Sequence, residues 1–187
     1  MALAKQKDSR FTKDHWIEKA LEVLSQTGGA KIHIEKLAAK LGVTKGSFYW
    51  HFESRNDFVD QVLDYWDAHS SQSVIEFMRE HEDKNAKDAL VVMTNFLIDQ
   101  DQIRHDMPVR SWAVQETRVQ TRVEETDIKR EQYIISLLTE DGSYDEFNAR
   151  NFANIFNCYA RCHAFVLPTI TPEELRERLL WLIDKHL

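Results

Sequence analysis

The chain has 187 residues, with only five Gly and three Pro, and 31 Asp and Glu against 24 Lys and Arg give it a net charge of −7. So few turn formers disfavour a strand-rich fold and suit long helices in one or two small domains. No apolar run reaches the roughly 18 residues of a membrane span, and two cysteines, Cys158 and Cys162, are too few for a disulfide framework.

Taken in order, Ile17, Ala20, Leu21 and Leu24 recur on one helical face, with Thr12 as a candidate N-cap and Gly28-Gly29 as the stop. Ile34, Leu37, Ala38 and Leu41 repeat that spacing, and Gly42 ends the second helix. Thr44 opens a third, whose Phe48 and Phe52 stand four apart and close a three-helix core. Ser54 can cap one longer helix over about 55–80, with Phe58, Val62 and Trp66 inward. Helical patterns follow over about 85–102, 108–115 and 117–139, and Asp141-Gly142-Ser143 is the clearest internal break. The pattern over 145–167 runs until Pro168, and Thr171-Pro172 reads as N-cap and first-turn proline of a last helix to about Leu187. The fold class predicted is all-α, with about nine helices.

The charge is unevenly placed. Residues 1–55 carry ten Lys and Arg against six Asp and Glu, a balance of +4, whereas residues 56–187 balance at −11. A basic head on an acidic body is what a protein needs when only its head meets phosphate. The second and third helices, joined by a glycine turn, have the plan of a DNA-binding helix-turn-helix. The third carries Lys45, Ser47, Tyr49, Trp50 and His51, an odd load for a helix with structural duties alone.

At these residues the chain resembles a TetR-type (TetR/AcrR) transcriptional regulator. The resemblance rests on Leu37-Ala38, Gly42-Val43-Thr44, Lys45-Gly46-Ser47-Phe48-Tyr49, His51-Phe52 and Arg55, and covers about residues 12–60. It implies a helix-turn-helix domain over 1–54 and a helical effector-binding and dimerisation domain over 55–187. Many relatives carry Ser or Thr as the cap before the aliphatic–alanine pair; this chain has His33 there, which can still donate to phosphate. Lys45 stands where side chains reach base edges or phosphate. Gly46 lets backbone approach DNA closely. Thr44, Ser47, Tyr49 and His51 supply polar contacts, and Arg55 can clamp phosphate at a helix N-terminus. Trp50 can meet a thymine methyl, or lie on protein.

Over 145–167, Phe152, Ile155, Phe156, Tyr159, His163 and Val166 form one apolar stripe, and Cys158, Cys162 and Phe165 another. A helix apolar on so much of its circumference must be buried on several sides, and a second subunit is the expected cover. The resemblance implies that the last two helices, with Leu175, Leu179 and Leu182 on the second, build a four-helix dimer interface. It also implies an effector cavity among Met93, Phe96, Trp112, Gln115, Tyr133 and Ile134, suited to a small apolar or aromatic molecule. Cysteines at i and i+4 on one face supply too few ligands for a closed zinc site. No catalytic constellation, phosphate loop or nucleophile motif stands out, so neither cofactor, metal nor enzymatic activity is expected.

The sequence therefore reads as a homodimeric, ligand-responsive repressor binding a palindromic double-stranded operator. Met1–Lys7 lacks the apolar core of a signal peptide, which makes the cytoplasm the expected location and no membrane partner expected. An activator or a ligand-independent regulator fits the same motif. A helical protein-interaction module or small helical enzyme is the reading of a different class.

Overall fold

In a computed structural model, the structure describes residues 11–29, 31–81, 83–140, 142 and 144–187. The described residues are helical, with no strands: α1 (Lys13–Thr27), α2 (Ile34–Leu41), α3 (Lys45–His51), α4 (Arg55–Asp67), a π turn (Ala68–Gln72), α5 (Ser73–Arg79), α6 (Ala86–Asp99), α7 (Asp106–Ala113), α8 (Thr117–Glu140), α9 (Glu146–Val166) and α10 (Pro172–His186). The sequence pattern predicts one helix over 55–80; the structure interrupts it with the π turn. The predicted break at Asp141-Gly142-Ser143 lies partly outside the described residues, and so does the Met1–Lys7 segment.

Contacts divide the chain into two compact units. Unit 1 takes the chain as far as Trp66 and adds Pro108–Val123; unit 2 holds Asp67–Met107 and Glu124–Leu187. Unit 1 thus contains α4 and the Pro108–Val123 stretch as well as the three helices of the expected 1–54 domain.

In unit 1, α1 starts from a capping box, with the Thr12 side chain and His15 bonding each other's backbone, and buries Trp16, Ile17, Ala20, Leu21 and Leu24. Gly42 ends α2 in the left-handed region at φ 69° and sends its N–H back to Ala38 and Ala39. A glycine adopts that left-handed turn without steric cost. Thr44 caps α3 by accepting from the Ser47 N–H, and Ser54 accepts from Asp57 at the start of α4. Phe48 is fully buried at the centre. Its ring meets Trp16 at 5.5 Å, Phe52 at 5.0 Å and Phe58 at 5.3 Å, mostly edge to face. Val109, Trp112, Val119 and Val123 complete this core. Gly29, at φ 82°, makes their approach possible: a Cβ there would lie 2.3 Å from Cβ of Ser111.

Unit 2 has a second apolar core, in which α6 packs on α5 and α10, and α10 on α9. Leu90, Met93, Ile134, Leu138, Phe152, Phe156, Leu179 and Ile183 fill it. The last helix begins as its sequence predicts, with Thr171 and Glu174 forming a capping box and Pro172 in the first turn.

Beside that core lies a buried polar cluster. Asp106 is fully buried and accepts from Nη1 of Arg130 at 2.9 Å and Nη1 of Arg161 at 2.6 Å, both guanidiniums being 4% exposed. The π turn adds two hydroxyls, Arg130 donating to Ser70 Oγ at 2.6 Å and Ser71 Oγ at 2.7 Å, and Asp127 accepts from its Nη1 at 3.4 Å. Asp67, just before the turn, accepts from Thr126 and Gln72. The wider π geometry turns a run of Asp and Ser inward, where an α-helix would have carried some of them to solvent. Burying ions is costly unless every charge is matched.

Replacing Asp106 with Asn leaves two buried guanidiniums with no carboxylate between them. Urea unfolding followed by circular dichroism should show a loss of about 3–5 kcal/mol. An unchanged midpoint would mean that the cluster contributes nothing to unit 2.

Candidate nucleic-acid interface

Seven residues are too few to hold a helix in water, so α3 takes its orientation from Phe48. With Phe48 pointing into the core, the 3.6-residue period turns Trp50 to the opposite face and Tyr49 to the flank, and Lys45 is exposed because it opens the helix. Trp50 is 87% exposed and Tyr49 is also exposed, although both are large and mainly apolar. Phe48 and Tyr49 rings touch edge to face at 5.2 Å, which fixes the base of the tyrosine.

Lys45 pairs with Glu35 of α2 at 2.5 Å. Hydrogen bonding between them holds the Glu35 carboxyl below its usual range and the Lys45 ammonium above its own. Both side chains are more than half exposed, so the pair is worth little and a phosphate or base edge can replace Glu35 cheaply. Gly46 is exposed and would accept a Cβ without strain, the nearest atom being Thr44 Oγ1 at 3.5 Å. The protein's own packing therefore does not require glycine there.

Other expected contact residues sit differently. Ser47 is buried, and its backbone N–H is spent on the Thr44 cap. His33 is exposed at the N-cap of α2 and makes no side-chain cap bond. His51 is half-buried beside Phe52. Arg55 lies at the start of α4, but its guanidinium is held by Glu116 through two bonds of 2.7 Å. Trp112 Nε1 donates to the same carboxylate at 3.0 Å. Arg55 is the main cause that keeps the Glu116 carboxyl below its ordinary range, against the opposing effect of burial. This fork-to-fork pair, 61 residues apart in sequence, has no local signal and is absent from the sequence reading.

The expected effector residues are not gathered in one unit. Trp112 is fully buried in the unit 1 core, and Gln115 donates to the Gly29 carbonyl, also in unit 1. Met93 and Ile134 are buried in the unit 2 core, Phe96 stacks on Phe77 at 4.0 Å, and Tyr133 is half-buried. A cavity of about 210 Å³ in unit 2 is lined by other residues.

The expected interface residues divide as well. Phe152, Phe156, Leu175 and Leu179 are covered by unit 2 itself, and Tyr159, His163 and Leu182 are half-buried. Ile155 is exposed, together with Phe165 at 66%, Val166 at 79% and, on α10, Trp181 at 60%. Cys158 is exposed and Cys162 half-buried, and neither forms a disulfide. No described helix is long and apolar enough to cross a membrane.

Comparison with known proteins matches residues 17–62 to the family model for bacterial regulatory proteins, tetR family. The chain is 30% identical over 98 residues to the HTH-type transcriptional regulator AcrR of Shigella flexneri, covering 52% of this chain and 44% of that protein. It is 33% identical over 54 residues to the class D tetracycline repressor protein of Escherichia coli, covering 29% of this chain and 25% of that one. The matches therefore span less than half the length of these relatives. Among solved structures, a transcriptional regulator from Rhodococcus sp. Rha1 superposes with a TM-score of 0.74 at 16% identity, covering 95% and 96% of the two chains. FadR from Bacillus subtilis, solved in complex with stearoyl-CoA, gives 0.65 at 18% identity over 92% and 97%. At such identities these two share the fold.

Because Gly46 has room for a methyl group, Gly46→Ala should leave unit 1 folded and up to about 1 kcal/mol more stable. It should at the same time weaken duplex binding in a gel-shift titration, by blocking close backbone approach. A variant that binds duplex as tightly as the parent would remove α3 from the interface.

Proposed function

We propose, for a chain whose residues 17–62 belong to the TetR family of bacterial regulatory proteins, that it regulates transcription by binding duplex DNA through α3. The carrying observation is the division of α3 into a core face and an outward face. Phe48 and Ser47 are buried, while Lys45, Gly46, Tyr49 and Trp50 lie open to solvent. Lys45 is the direct reader or phosphate contact, Trp50 supplies apolar surface to sugar or a thymine methyl, and Thr44, Tyr49, His33 and His51 donate around it. Ser47 takes the structural part of holding the helix start. Arg55 gives Glu116 two of its five N–H donors, and a phosphate contact uses the remaining donors or replaces that pair. The +4 balance of residues 1–55 supports the same reading, since phosphate neutralisation supplies most non-specific affinity.

The active form in this reading is a homodimer. Ile155, Phe165 and Val166 on α9 and Trp181 on α10 leave apolar surface uncovered, of the kind that marks an interface. A two-fold dimer imposes two-fold symmetry on its operator, with recognition helices about 34–36 Å apart or a multiple of that. The protein acts as a repressor, and a small molecule in unit 2 releases it by preferring the state that does not bind DNA. The likeness to a tetracycline repressor supports repression, and the stearoyl-CoA held by FadR supports ligand binding on this fold.

Selection of bound duplexes from a random pool should return an inverted repeat, and its affinity should fall steeply with salt. Phe165→Asp should give a monomer by ultracentrifugation that no longer selects the repeat. Selected sequences without a dyad, or a dimer unchanged by Phe165→Asp, would overturn the assembly.

A further inference from the structure

The cavity of about 210 Å³ in unit 2 lies where the loop after α6 and the start of α7 meet the end of α9 and the start of α10. Ile98, Ile103, Met107 and Leu175 make most of it apolar. Arg161 forms part of its wall and is 4% exposed. Arg161 spends Nη1 on Asp106, and its Nε–H is buried without an acceptor among the described residues. The guanidinium thus keeps one buried donor, its Nε–H, still unmatched.

Charge runs the same way. Asp106 is shared between Arg161 and Arg130, so neither guanidinium has that carboxylate to itself. Burial, reinforced by the nearby Arg161, pushes the Arg130 guanidinium down to about 10. Arg104 also lines the cavity; Asp101, the acidic residue among the lining, stands 3.9 Å from it and is largely exposed. A buried, half-satisfied guanidinium beside an apolar space selects a ligand with an anionic fork at one end. The size is bounded too, because a cavity of about 150 Å³ holds one benzene.

We propose that this cavity binds a small monocarboxylate with an apolar body about the size of one aromatic ring, its carboxylate on Arg161 and its body against Ile98, Ile103, Met107 and Leu175. Only the consequence for DNA rests on the reading given under Proposed function; the binding itself does not. The site differs from the expected effector residues and adds a charge requirement to an otherwise apolar ligand.

Calorimetric titration of the full chain with sodium benzoate, and with benzyl alcohol as its neutral counterpart, tests this. Benzoate should bind at least about tenfold more tightly than the alcohol, the discrimination expected for a hydrogen-bonded charge. Ala164 is exposed and lines the cavity, so Ala164→Trp should fold as the parent does and lose benzoate binding. Arg161→Lys keeps the charge facing Asp106, loses the fork, and should weaken benzoate severalfold; if it fails to fold, Ala164→Trp carries the test alone. Equal affinity for the two compounds, no binding at millimolar benzoate, or parental binding by Ala164→Trp would each overturn the proposal. Benzoate binding of the predicted kind with unchanged duplex affinity would uphold the site and overturn the ligand-responsive reading instead.

Discussion

The burial of Phe48 is the constraint on which the rest of unit 1 depends. A seven-residue helix has no stability of its own, and the contacts of one ring with Trp16, Phe52 and Phe58 provide both its stability and its rotation. Once Phe48 is fixed inward, helical periodicity places Trp50 on the opposite face and Tyr49 on the flank, while Lys45 reaches solvent as the first residue of the helix. A Phe→Ala change in such a core typically costs about 3–5 kcal/mol. Here the same change would release the outward face along with the core.

The two units solve burial differently. Unit 1 is apolar at its centre and places its ion pairs at the edge, as Arg55–Glu116, Arg118–Asp60 and Arg122–Asp64 show. Unit 2 instead sets Arg130, Asp106 and Arg161 next to its apolar core, with Ser70 and Ser71 brought in by the π turn. Such an arrangement is weak evidence for stability, because well-packed apolar residues would do at least as well. Its chemical value lies in directional donors held at a fixed place, one of them beside a cavity.

Much of the helical framework was legible in the sequence. Apolar spacing located α1 and α2, and Thr12, Thr44 and Thr171-Pro172 marked helix starts by side-chain capping, which depends on residues three apart. Features that depend on distant partners were not legible. The Arg55–Glu116 fork joins residues far apart in the chain, and the π turn leaves no pattern in a stretch that reads as continuous helix. Composition also could not assign Trp112 to one core or another, since a buried tryptophan looks alike in both. On α9 the two apolar stripes were visible, but only the structure separates Phe152 and Phe156, covered by their own chain, from Phe165 and Val166, which are open.

In the proposed function, the outward face of α3 meets the duplex. Hydroxyl-radical oxidation of the full chain, read by mass spectrometry with and without a selected duplex, tests it directly. Trp50, at 87% exposure, should be oxidised in the free protein and protected in the complex, while buried Trp16 and Trp112 stay unmodified in both. Equal oxidation of Trp50 in the free and the duplex-bound protein would mean that this face does not meet the duplex.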